Sequence, residues 1–469
     1  MSARAAVATI WDRPRLGITV GSVVLIFLAA IEALAVTTVM PVVSADLNGE
    51  ALYAAAFSGT LATSVVGMVA AGTWSDRAGP RAPLYTAVLL FAAGLLVSGL
   101  APDMRVFLFG RLVQGLGAGG QTVALYVVVA RVYPAQLHGR IFAAYAAAWV
   151  VPSIVGPFLA GVVTELLHWR WTFLGVAVLT AGAFALVAQR LRAVPLDRHA
   201  ASRDPAAEGP PSSGGEPNGA TSQVAARLLL ACVVAACAVL VGFTADLDPN
   251  LGVPLAAVGI AVTGVAILPL LPPRSLRAAP GLPSVVLTRG LVAGAFFAAE
   301  AFIPKLLMQE HGFSPSTAGL ALTLAALGWS SASAVQGRYG DRLGSTRIVA
   351  ITVTLMMTAL LMVLAVVLLR PGAWMVVLGW GLAGAGIGLL YPRLTVLTLA
   401  YSSERDEGFN SAALSISDAT GSALAVAVAG LGFIALPLLG SGYTTVYLLA
   451  VLLALLTLVP GLRMGDGPR

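Results

Sequence analysis

Charge is scarce in this sequence. Asp, Glu, Lys and Arg make up 10% of 469 residues, while 58% are hydrophobic. Soluble domains carry about 25% charged residues, so a soluble fold is excluded. Lysine is almost missing: Lys305 is the only one, and the other basic residues besides histidine are arginine. With abundant Ala, Gly and Pro, this points to a GC-rich bacterial genome. The two cysteines, Cys232 and Cys237, fall in one apolar stretch, which excludes a disulfide framework and a cysteine zinc site. No His/Cys/Glu cluster has metal spacing, no phosphate-binding loop occurs and no nucleophile–base pair stands out. Metals, cofactors, nucleotides and an enzyme are therefore not expected. The net charge of +6 comes from arginines spread over short loops, so nucleic acid is not an expected partner either.

What is present is apolar sequence in long runs. The mean hydropathy is +0.91, and runs of about 20 apolar residues each cross a bilayer as a helix. The expected fold class is an all-α membrane protein with 14 spans. Residues 1–190 are expected to form six helices, 191–223 a disordered cytoplasmic linker, 224–271 an inserted transmembrane hairpin, and 272–469 six more helices. The linker is rich in Pro, Gly and Ser and cannot build a packed core. Met1–Arg15 is short and basic, and the apolar segment after it reads as a retained span. Arg77, Arg81, Arg131, Arg140, Arg274 and Arg277 fall in alternate loops, whereas Asp46, Glu50, Asp103, Glu165, Asp246 and Asp248 fall in the others. By the positive-inside rule both termini face the cytoplasm, here beneath a bacterial inner membrane.

One loop occurs twice. Gly72, Asp76, Arg77, Gly79 and Arg81 end the second span, and Gly337, Asp341, Arg342, Gly344 and Arg347 end its counterpart in the second half. A duplicated bundle with a charged hinge loop in each copy is a common plan of secondary transporters. An acid and arginines there can latch two helix ends in one state and release them in another.

These residues resemble the loop signature of the major facilitator superfamily, with Pro80 where a second basic residue is usual. The run from Phe109 through Arg111, Gln114, Gly115 and Gly117 to Gly120 looks like the family's fourth-helix motif. Pro152, Gly156, Pro157 and Gly161 resemble the fifth-helix motif of antiporters, with Pro152 and Ala160 at expected glycine positions. Glu32 to Pro41 resembles the first helix of the 14-span drug:proton antiporter branch, where the acid is usually Asp. The resemblance implies two six-helix bundles that rock around a central cavity, exporting amphipathic or cationic small molecules in exchange for protons. Export of an envelope lipid or metabolite, and solute:proton symport, are the alternatives.

Four ionisable residues inside spans are the candidates for proton coupling. Glu32 and Arg111 lie at similar depth on neighbouring helices, about 9–13 Å from the same membrane face. Glu300 sits within about one helical turn of the position equivalent to Glu32. Lys305 follows it and is expected to snorkel to the surface. Asp418 is flanked by Ser415, Ser417, Thr420 and Ser422 and is expected to line the cavity or bond these hydroxyls. Ionisable groups at membrane depth are functional candidates by default. Tyr126, Tyr145, Trp149, Phe297 and Trp329 are candidates for an aromatic cavity wall. The glycine tracts at 115–120 and 379–388 predict close helix contacts.

Overall fold

The computed structural model describes residues 9–192, 217–403 and 406–467. The first half contains α1 (Arg13–Asp46), α2 (Tyr53–Ala78), α3 (Arg81–Leu100), α4 (Met104–Val132), α5 (Ala135–Leu166) and α6 (Arg170–Arg192). Helices α7 (Pro217–Phe243) and α8 (Pro249–Ala266) form a hairpin. The second half contains α9 (Leu282–Glu300), α10 (Ile303–His311), α11 (Pro315–Leu343), α12 (Ser345–Leu369), α13 (Trp374–Ala400), α14 (Glu407–Ala435), α15 (Gly442–Leu456) and α16 (Leu458–Gly461). Among the described residues, 14 helical segments are long and apolar enough to cross a membrane, with α9–α10 and α15–α16 each counting as one.

Helix extends into both ends of the expected linker: α6 runs to Arg192 and α7 starts at Pro217. Residues 193–216 of that expectation lie outside the described residues. The first span of the second half is broken at Ala301–Phe302, with Pro304 in the first turn of α10. A proline within the first turn of a helix loses no intrahelical bond, so α10 can restart there at a new angle.

Packing repeats in the two halves. Helix α4 crosses α2 and α3, and α13 crosses α11 and α12 in the same manner. The glycines make this possible. A Cβ on Gly115 would meet the Thr60 carbonyl oxygen at 2.3 Å, and one on Gly384 the Ala325 carbonyl oxygen at 2.0 Å. Only a residue without a side chain allows backbones this close. The charged loops turn on Gly79 (φ 81°) and Gly344 (φ 73°), a region of backbone space that costs glycine little.

The halves meet along two seams, α2 against α14 and α5 against α11. Helix α7 lies over the first seam and touches both of its helices. Ala235 and Ala238 of α7 pack with Ala62 of α2 and Ala423 of α14, so small side chains let three helices share one contact.

Candidate functional site: buried charges between two helical halves

Glu32 on α1 and Arg111 on α4 form an ion pair inside the first half, 3% and 4% exposed. Arg111 makes two further hydrogen bonds: Nη1 also donates to Gln114 Oε1 at 2.6 Å and Nε donates to the Ala56 carbonyl at 3.4 Å. A buried pair persists only with such additional hydrogen bonds.

Glu300 ends α9 and does not meet Arg111 or Lys305. Its Oε2 accepts a hydrogen bond from Trp380 Nε1 at 3.1 Å, and among the described residues it makes no ion pair. Trp380 stacks on Phe296 with ring centroids 5.1 Å apart, and Phe296 meets Phe297 and Trp329 edge-on. Phe297 and Trp329 are partly exposed.

The Asp418 carboxylate is not held by its neighbouring hydroxyls, which donate to backbone carbonyls or to nothing. Its Oδ1 accepts from Arg289 Nε at 2.8 Å and from the Tyr391 hydroxyl at 2.7 Å, while Arg289 lies over the Tyr391 ring. The charge of Arg289 outcompetes neutral hydroxyls for the carboxylate. Sequence reasoning missed Arg289 because it lies near the end of an apolar run, where an arginine reads as a topology signal.

The snorkelling expected of Lys305 is corrected. Lys305 is 1% exposed, pairs with Glu50 of the opposite half, and sits over the rings of Tyr53 and Phe433. The break before α10 turns its side chain inward, where a carboxylate and two aromatic faces replace water. Nearby, the Tyr53 hydroxyl donates to the Ala301 carbonyl at 2.6 Å, and Glu165 accepts from Ser316 N at 2.7 Å. Among the described residues, every hydrogen bond joining the halves lies at this Glu50 end.

The α5 residues belong to the same closure. A Cβ on Gly161 would strike Ser316 Cα at 2.4 Å, and one on Gly319 would meet the Pro157 carbonyl oxygen at 2.7 Å. Pro152, Gly156 and Pro157 are buried along this helix.

At the opposite, Asp76 end the halves share no hydrogen bond among the described residues. Asp76, Arg77 and Arg342 are exposed. Gly72 sits near Val123, Arg131 donates to the Ser75 carbonyl at 3.1 Å, and Arg81 donates to the Leu191 carbonyl at 2.9 Å. The side chain of Asp341 lies outside the described residues. Tyr126, Tyr145 and Trp149 line a cavity of about 180 Å³ between α1, α4 and α5, together with Gln121 and Phe142. The expected aromatic set is thus split: these three stand in the first half, while Phe297 and Trp329 stand in the second.

Arg393, also unforeseen, is 5% exposed and donates from Nε to the Ser345 hydroxyl and from Nη2 to Asp466. Asp466 accepts from Ser345 N at 2.6 Å at the start of α12. The hydrogen bonds from Ser345, then Arg393, hold the Asp466 carboxyl below the usual range.

The sequence matches the Major Facilitator Superfamily over residues 23–299 and again over 285–468. A probable multidrug-efflux transporter of Mycobacterium tuberculosis is 28% identical over 365 residues, covering 76% of this chain and 75% of that protein. A transporter of the acurin A biosynthesis cluster of Aspergillus aculeatus is 35% identical over 31% of this chain. The chain spans 26% of that fungal relative and 58% of another mycobacterial transporter that it matches. Among solved structures, a peptide transporter has a TM-score of 0.68 at 15% identity, covering 95% of this chain and 94% of its own. A D-xylose–proton symporter has a TM-score of 0.63 at 12% identity, covering 94% and 96%. At these identities the structural likeness concerns the fold.

Proposed function

We propose that this chain, which belongs to the Major Facilitator Superfamily, is a proton-coupled exporter of amphipathic or cationic small molecules working by alternating access. The observation that carries the proposal is Glu300, a carboxylate held within a span without an ion pair among the described residues. A carboxylate at that depth costs several kcal/mol or more unless paired, so it is retained for a purpose. The mycobacterial relative with 75% of its length covered supports the substrate class.

The arginine distribution supports an orientation with the Asp76 end in the cytoplasm. In that orientation the Glu50–Lys305 pair and the other hydrogen bonds joining the halves lie at the outer end, and among the described residues none lies at the inner end. The loops at Asp76 and Asp341 then carry the inner latch, released in this state and engaged in the outward-open one. The chain works in the inner membrane of a bacterium with both termini in the cytoplasm.

Transport in proteoliposomes under an imposed pH gradient tests this, with lipophilic cations beside a fluorescent phospholipid. Cation movement against proton flux supports the reading. Lipid movement alone would replace it with export of an envelope lipid, and substrate moving together with protons would replace it with symport.

A further inference from the structure

The glycines of α4 and α13 give the two halves a common register. Gly115 and Gly119 press on α2, at Thr60 and Ser64, as Gly384 and Gly388 press on α11, at Ala325 and Trp329. Between them Gly117 faces α3 at Phe91, and Gly386 faces α12 at Thr352. The spacing of these glycines is identical in the two helices. With the three pairs superimposed, Arg111 falls on Trp380. Glu32 reaches Arg111 from α1, and Glu300 reaches Trp380 from α9, the first helix of the second half. One half therefore closes its carboxylate with a guanidinium, the other with an indole.

An indole N–H satisfies one lone pair but brings no charge. Glu32 is neutralised from within the protein, whereas Glu300 must take its positive partner from outside. We infer that Glu300 is the cation-exchange site of this transporter, with Glu32 a fixed structural pair. The cation is a proton or the ammonium or phosphonium centre of a substrate. Trp380, which donates to the carboxyl, stacks on Phe296, and Phe296 in turn meets Phe297 and Trp329; aromatic rings attract organic cations. Glu300 and two of these rings are partly exposed, so the site is reachable.

The ionisable groups on elements packed against α9 do not fill this role. Asp418 on α14 is paired with Arg289 of α9 itself. Lys305 on α10 is paired with Glu50. Tyr391 on α13 donates to Asp418, and Tyr443 of α15 donates to Gln309. Tyr447 of α15 brings no cation. In the exchange, the O–H bond of the Glu300 carboxyl breaks, its proton passes to water on the open side, and the carboxylate pairs with the organic cation. Departure of that cation reverses the step. This inference rests on the exporter reading but is tested by binding alone.

The experiment uses the purified full chain in nanodiscs, weakly buffered, with a pH-indicator dye and tetraphenylphosphonium as probe. Wild type should release protons as the probe binds, and Glu300→Gln should abolish that release. Glu32→Gln, the rival site, should still release them, as should Glu310→Gln at the exposed rim. Release that survives in Glu300→Gln, or disappears in Glu32→Gln, overturns the assignment. Failure of wild type to bind the probe overturns the organic-cation part, and infrared difference spectra then decide the proton. A carboxylic-acid C=O band lost on raising pH should be absent from Glu300→Gln; its persistence there rejects Glu300. Proton release without gradient-driven flux in wild-type vesicles would sink the exporter reading and leave this site standing.

Discussion

Lys305, the only lysine of the chain, is buried against Glu50 across the boundary between the two halves. The pair is lopsided: Lys305 is 1% exposed and the Glu50 side chain 49%. Removing either partner therefore has unequal consequences. Glu50→Gln leaves a buried ammonium without a counter-charge and should cost about 3 kcal/mol. Lys305→Met leaves a carboxylate already in contact with solvent and should cost about 1 kcal/mol or less. Thermal unfolding of the two variants in detergent gives the comparison. Equal losses would mean that the two aromatic faces, rather than Glu50, hold the ammonium.

The pair of Glu32 and Arg111 predicts strong coupling. Each single change, Glu32→Gln or Arg111→Gln, should destabilise by about 3 kcal/mol because the other charge remains buried. The double variant should recover part of this, giving an interaction energy of about 1–3 kcal/mol in a double-mutant cycle. Simple additivity would show that the pair is not formed in the membrane.

Glycine substitutions should separate sharply by position. Gly384→Leu has nowhere to go, with the Ala325 backbone already 2.0 Å from an added Cβ. It should abolish the yield of monodisperse protein. Gly182→Ala on α6 meets nothing within 4 Å and should stabilise by about 0.5–1 kcal/mol through helix propensity. A similar loss of yield in both would place the α4–α2 type of crossing elsewhere.

Asp466 predicts an acid-sensitive end of the second half. Its folded-state carboxyl titrates below the ordinary value of 3.8. The interaction is fully present above that value and fades as pH falls through the lower folded-state value. Hydrogen exchange at the start of α12 should therefore rise only in strong acid for wild type, and at neutral pH for Asp466→Asn. No change in that variant at pH 7 would deny Asp466 its role as the cap of α12.

Asp76→Asn should leave probe binding intact, because Asp76 is exposed and makes no ion pair among the described residues. If the latch forms in the other state, turnover should slow severalfold. Normal turnover would remove Asp76 from the switch.

Much of this architecture was legible in the sequence because membrane helices announce themselves by length and composition. The duplicated loop gave the two halves, and the depths of Glu32 and Arg111 put them within reach of each other. What escaped were partners whose residue type hid them. Arg289 and Arg393 look like loop arginines, and Trp380 looks like packing. Lys305 looked superficial because a continuous α9 would have carried it outward; the break at Ala301–Phe302 was unsignalled except by Pro304. Each of these depends on a tertiary neighbour far away in the chain, which hydropathy does not record.

Helix α7 covers one of the two grooves between the halves and leaves the other bare. A molecule dissolved in the bilayer and approaching sideways thus meets three helices on the α2–α14 flank and two on the α5–α11 flank. The hairpin gives a transporter of near twofold internal symmetry a front and a back.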